Sequence, residues 1–132
     1  MKNIKVIIGY TGTNFCACSE QILGCVATGS TIEEIKKEYT ELLDFHIEGM
    51  EADKETLPVE RGKYKLVFEL DTQALLKQYQ NIISFSALSK VTGINQRQLS
   101  HYANGIRTPQ ANQRQKIVKG LHEIGKEFIS VS

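Results

Sequence analysis

A chain of 132 residues with 41% apolar side chains suits one ordinary domain or two very small ones, and is too apolar for a disordered or fibrous protein. No apolar run approaches membrane-spanning length, the opening MKNIKVIIGY is too short and strand-like for a signal peptide, and three cysteines make an odd count against a disulfide framework. A cytoplasmic protein is expected.

The net charge of +1 hides a division between the two halves. Residues 1–69 hold eight Lys/Arg against twelve Asp/Glu, and residues 70–132 hold eight against three. Between Thr72 and His122 there is no acidic residue, while Lys77, Lys90, Arg97, Arg107, Arg114, Lys116 and Lys119 are basic. A polyanion is attracted to that segment and repelled by the first half.

In chain order, Ile4 to Tyr10 is rich in β-branched residues and is followed by a turn signal, Thr11-Gly12-Thr13-Asn14. Phe15 to Ser19 alternates weakly, and Ile22 to Thr28 makes a third strand ended by Gly29. Ser30-Thr31-Ile32-Glu33 has the form of a capping box, the serine and glutamate each satisfying the other's end of the first turn. From Ile32 the apolar positions Ile35, Tyr39, Leu42, Leu43, Ile47 and Met50 mark one buried helix face. A polar loop from Glu51 to Gly62 contains Pro58, and Tyr64 to Leu70 alternates as a fourth strand. The expected architecture is α+β, a β-β-β-α-β domain over residues 1–70 and an all-helical domain over 71–132.

The second half is predicted to be helical throughout. Asp71 or Thr72 caps a helix through Gln80 that turns Leu75, Leu76 and Tyr79 inward. Ser84 caps the next, Phe85 to Thr92; Gly93 supplies a left-handed residue and Ile94 the apolar contact after it. Asn95 caps Gln96 to Asn104, which Gly105 stops. Leu88, Val91, Ile94, Leu99 and Tyr102 are spaced to meet between these two helices. Thr108-Pro109 begins a last helix with proline at its favoured first position, and Ile117, Leu121, Ile124 and Phe128 give it an apolar stripe.

Two short helices around a glycine turn form a helix-turn-helix pattern. Its second helix turns Gln96, Arg97, Gln98, Ser100 and His101 outward, long hydrogen-bonding side chains with no carboxylate among them. Such groups read base edges in the major groove, an amide taking adenine and an arginine gripping guanine by two bonds. Lys77, Ser84, Lys90, Asn104 and Arg107 are the candidates for phosphate contacts, which position a protein without reading sequence. The bland alternative for each is an ordinary solvated side chain.

The helical half resembles the Cro/C1-type helix-turn-helix domain in Leu88, Gly93-Ile94, Gln96 and Asn104-Gly105. The first half looks like the amino-terminal domain of HicB-type antitoxins in Phe15-Cys16-Ala17-Cys18, Leu23-Gly24-Cys25-Val26 and Gly29-Ser30-Thr31-Ile32-Glu33-Glu34. The stretch between second and third strands, Ser19-Glu20-Gln21-Ile22, departs from that family in lacking a proline. The resemblance implies a truncated RNase H-like fold that masks a small, basic mRNA-cleaving toxin similar to HicA, joined to a module that represses the operon on double-stranded DNA. The alternative reading is a stand-alone transcription regulator whose first domain dimerises or senses a ligand.

Catalysis and cofactors are not expected. Two-metal hydrolysis needs carboxylates converging from several elements, and the strands offer only Glu20 and Glu69. Cys16, Cys18, Cys25 and His46 invite a metal reading, but C-x-C lacks the gap of most zinc knuckles and free cysteine is commonly an idle core residue. One recognition helix reads few base pairs, so a homodimer or higher oligomer is expected. An exposed strand of the first domain or the Ile124–Phe128 end of the last helix would form its contact.

Overall fold

The computed structural model describes all of residues 1–132 as a mixed α+β protein with one four-stranded sheet and five helices. The chain divides into two compact units, Met1–Asp71 and Thr72–Ser132. No helix is long and apolar enough to cross a membrane.

In the first unit, strands β1 (Lys2–Tyr10), β2 (Phe15–Ser19) and β3 (Ile22–Gly29) are followed by helix α1 (Ile32–Ala52) and strand β4 (Tyr64–Leu70). The strands lie in the order β3-β2-β1-β4. Neighbours are antiparallel except β1 and β4, which run parallel with Val6 opposite Phe68. The ladder continues one step past β4, because the Asp71 amide donates to the Ile8 carbonyl at 2.8 Å.

Alternation along the strands explains the core. Ile4, Val6 and Ile8 of β1, and Phe15 and Ala17 of β2, are buried together with Ile35, Tyr39, Leu43 and Ile47 of α1. That helix stripe has the spacing of one helical face, so α1 covers one side of the sheet. Tyr39 meets Phe68 edge to face, with ring centres 6.3 Å apart. Burying apolar area at about 25 cal/mol per Å² makes this face the unit's main source of stability.

Several sequence expectations shift here. The capping box sits one residue later than predicted: Thr31 is the N-cap, its hydroxyl accepting from the Glu34 amide at 3.0 Å. Glu34, rather than Glu33, reaches back to the Ser30 hydroxyl at 2.7 Å. Helix α1 runs through Glu51 and Ala52, so the loop begins at Asp53. Leu42 is exposed, because it lies off the stripe that meets the sheet. Strand β3 is not regular: Cys18 pairs with Val26 but Ser19 with Ile22, so Leu23-Gly24-Cys25 bulges out, with Gly24 at φ +82°.

The second unit consists of α2 (Thr72–Tyr79), α3 (Phe85–Thr92), α4 (Gln96–Ala103) and α5 (Ala111–Ile129). Leu76, Leu88, Ile94, Leu99, Tyr102, Ala103 and Ile117 form one buried cluster drawn from all four helices and the α3–α4 turn. Val91 is 41% exposed and stands outside that cluster, correcting its predicted place between α3 and α4. The last helix starts two residues after Pro109. Gln110 is still extended, at φ −75° and ψ 165°, so it takes the N-cap position and leaves proline before the helix. Thr72 does not cap α2 but is its first residue, and its hydroxyl accepts from the Arg114 guanidinium at 3.1 Å.

Candidate nucleic-acid interface

Local chemistry builds the α3–turn–α4 segment. The Ser84 hydroxyl accepts from the Ala87 amide at 3.0 Å and so closes the start of α3. Gly93 ends the helix at φ +74°, a conformation that costs an L side chain about 1–2 kcal/mol. The Thr92 hydroxyl accepts from the Ile94 amide at 3.1 Å, which holds the turn while Ile94 enters the core. Asn95 then caps α4, its side-chain oxygen accepting from the Arg97 amide at 2.8 Å and more weakly from that of Gln98.

The buried side of α4 carries Leu99, Tyr102 and Ala103. At 100° per residue the opposite side centres on Arg97 and His101, with Ser100 and Gln98 on its two flanks and Gln96, at the helix start, farther round. The five residues proposed to read bases are therefore not equivalent. Gln96 and Arg97 are exposed, whereas Gln98, Ser100 and His101 are half-buried. The Gln98 amide nitrogen donates to the Tyr102 hydroxyl at 3.0 Å. Ser100 accepts from the Asn104 amide at 3.3 Å.

Arg97, Gln98 and His101 share an open depression of about 570 Å³ with Arg107, Gln113 and Lys116. Three of these side chains are cationic, and no carboxylate lines the depression. A second polar hollow adjoins it, lined in part by Arg107, Thr108, Gln110 and Asn112. Together they make a continuous polar, cationic surface from α4 across the α4–α5 loop to the start of α5, the kind that neutralises phosphates.

The phosphate candidates divide in the same way. Lys90 and Arg107 are exposed. Ser84 is exposed but its hydroxyl is engaged as a helix cap. Lys77 is half-buried and its ammonium donates to Asn104 at 3.0 Å, so this pair ties α2 to the end of α4. Asn104 holds the helix end and the Lys77 contact at once, and Gly105 follows at φ +71°.

Gln113 and Lys116 complete the depression and were not among the predicted site residues. The signal was present: Gln110-Ala-Asn-Gln-Arg-Gln-Lys116 repeats the long, carboxylate-free polar run of α4. What the sequence hid is that α5 starts beside α4.

The first unit offers no comparable constellation. Cys25 is buried on the helix-covered face, while Cys16 is half-buried and Cys18 exposed, so the three thiols do not converge. Burial pushes the thiols of Cys25 and Cys16 above the ordinary cysteine range, which disfavours the thiolate a metal needs. No group of three or more His, Cys, Asp or Glu side chains is placed to hold a metal. Arg61 lies 3.5–4.0 Å from the carboxylates of Asp44, Glu48 and Glu51, so part of the acidic excess of the first half is already paired within the unit. No protein-family model matches the chain, and neither does any curated protein.

Proposed function

We propose that the Thr72–Ser132 unit binds double-stranded DNA, with α4 as its recognition helix, and that the protein acts as a transcriptional repressor. The observation that carries this reading is the carboxylate-free depression in which Arg97 and His101 of α4 meet Arg107 and Lys116. The unit around it holds eight Lys/Arg and only two acids, Glu123 and Glu127, both near the far end of α5. In this reading Gln96 and Arg97 contact bases, while Arg107, Lys116 and Lys90 contact phosphates.

The Met1–Asp71 unit is proposed to be the regulatory half. Its β-β-β-α-β order and its resemblance to HicB-type antitoxins support a role in binding a small basic toxin and a cytoplasmic setting. A stand-alone regulator whose first unit dimerises or senses a ligand is the second reading, and its dimerising form has a specific observation behind it. It is favoured by Leu23 and Val26, 83% and 60% exposed on edge strand β3.

The test is binding of the full chain to randomised duplex DNA, followed by measurement on the selected sequence at several salt concentrations. Log affinity is expected to fall steeply with log salt. Arg97→Ala is expected to lower the specific-to-non-specific ratio by about 1–3 kcal/mol, while Arg107→Ala and Lys116→Ala weaken both alike. A salt slope near zero overturns the DNA reading.

A further inference from the structure

We infer that the outer edge of β4 pairs with the same edge of a second copy of this chain, antiparallel and centred on Val67, so that the two sheets join into one. The inference concerns the first unit and does not depend on the DNA reading. β4 is a terminal strand of the sheet. The Lys2 amide donates to the Lys63 carbonyl at 3.3 Å, and the Asp71 amide to the Ile8 carbonyl at 2.8 Å. Backbone groups alternate in direction along a strand, so the odd-numbered residues of β4 turn theirs toward β1. Tyr64, Leu66 and Phe68 therefore turn their N–H and C=O outward, where no strand pairs with them. A row of this kind is a template for another extended chain. The opposite edge is different. β3 bulges at Leu23-Gly24-Cys25, which breaks its outward row, so Leu23 and Val26 offer a partner side chains rather than a ladder. β4 holds its register with β1 unbroken from Tyr64 to Leu70.

The occupant follows from charge on the exposed face. Two copies related by a twofold axis meet antiparallel at this edge. Outward groups must face outward groups, so even-numbered residues pair with even-numbered ones. Side chains then choose the register. Centred on Val67, Leu66 forms a hydrogen-bonded pair with Phe68 of the second copy on the side that α1 covers. On the open face Val67 meets Val67 of the second copy, and Lys65 meets Glu69 twice. These are the positions without hydrogen bonds, where side chains come closest. Lys65, Val67 and Glu69 are all exposed in the single chain, Val67 at 42%. Moving the centre to Leu66 sets Lys65 against Val67, and moving it to Phe68 sets Val67 against Glu69, so each shift puts a charge against an apolar side chain. Glu69 already holds Lys5 of β1 at 3.1 Å, and in the dimer its carboxylate lies between two ammonium groups. A strand from another protein satisfies this edge only by carrying acid, apolar and base at matching alternate positions. This edge carries that order itself when reversed.

Val67 is the sharpest probe, because the twofold axis pairs it with itself. An aspartate there lies opposite Lys5 in the β1–β4 register, which suits the single chain, and opposite a second carboxylate only in the dimer.

Sedimentation equilibrium of the full chain without DNA tests the inference. The wild type is expected to sediment at twice its 14.8 kDa mass at tens of micromolar. Val67→Asp is expected to sediment as a monomer with an unchanged circular-dichroism signal. Lys65→Glu and Glu69→Lys each reverse two symmetry-related pairs and are expected to weaken the dimer about five-fold or more. The double variant is expected to restore it to within about three-fold. The Lys5–Glu69 bridge is solvent-exposed, so its loss in these variants leaves the fold intact. A monomeric wild type or a double variant as weak as the singles overturns the inference. So does a dimer that survives Val67→Asp, which moves the contact away from β4. Because no DNA is present, loss of DNA binding and loss of this dimer are read separately.

Discussion

The Tyr102 hydroxyl is shared by two glutamines: Gln98 of α4 donates to it at 3.0 Å and Gln113 of α5 at 3.4 Å. The bond crosses from one wall of the cationic depression to the other, and the Tyr102 ring is buried beneath it. Gln98 is therefore held to one side of α4 rather than projecting freely, which restricts what it presents to a base.

Tyr102→Phe keeps the buried ring and removes the shared oxygen. On the DNA reading, the specific-to-non-specific binding ratio is expected to drop by about 1 kcal/mol, with non-specific affinity unchanged. Thermal unfolding is expected to show a loss of no more than about 1.5 kcal/mol. Equal loss of specific and non-specific binding would show that the hydroxyl supports the fold alone.

The two left-handed glycines around the helix pair differ in their surroundings, so they differ in what replacement costs. Gly93, at φ +74°, has open space around a would-be Cβ; Gly105, at φ +71°, would place one 3.0 Å from the Gln73 amide. That amide donates to the Ala103 carbonyl at 3.3 Å and helps finish α4. Gly93→Ala is expected to cost about 1–2 kcal/mol, the backbone penalty alone, and Gly93→Asn less. Gly105→Ala is expected to cost more than Gly93→Ala, because Gln73 must also move. Denaturant unfolding of the three variants checks the ordering, and equal costs at the two glycines would refute it.

These differences show what the sequence could and could not reveal. Ser84, Gly93, Asn95 and Gly105 act on amides and torsions within a few residues of themselves, so the extents of α3 and α4 were legible from local chemistry. The first cap of α1 was displaced by one residue because Glu33 and Glu34 are adjacent carboxylates, and the backbone at Thr31 decides between them. Val91 and Phe128 matched an apolar period yet stand exposed, since periodicity names a face without naming what covers it. The depression itself was legible only in part. Its α4 wall follows from a polar run on one helix, whereas its α5 wall depends on how α5 packs through Ile117 into the shared core.

The first unit's stability is expected to fall at alkaline pH, and the cause is the pair beneath the sheet. Tyr39 is fully buried; its hydroxyl has no nitrogen or oxygen partner and only the Cys25 thiol beside it. Burial raises both groups above their ordinary values of 10.0 and 9.0, because neither anion is solvated there. A raised folded value means that the folded state holds its protons where the unfolded chain has released them. The stabilisation is thus complete below about pH 9 and is lost as pH rises past the unfolded values toward the folded ones. Tyr39→Phe removes one of these titrations and a buried oxygen without a strong partner. It is expected to be neutral or stabilising by up to about 1 kcal/mol at pH 7, and to flatten the decline above pH 10. Tyr39→Ala instead leaves a cavity under Phe68 and is expected to cost about 3–5 kcal/mol. Unfolding measured from pH 7 to 11 decides the matter: an identical alkaline decline in wild type and Tyr39→Phe would show that Tyr39 does not titrate with unfolding.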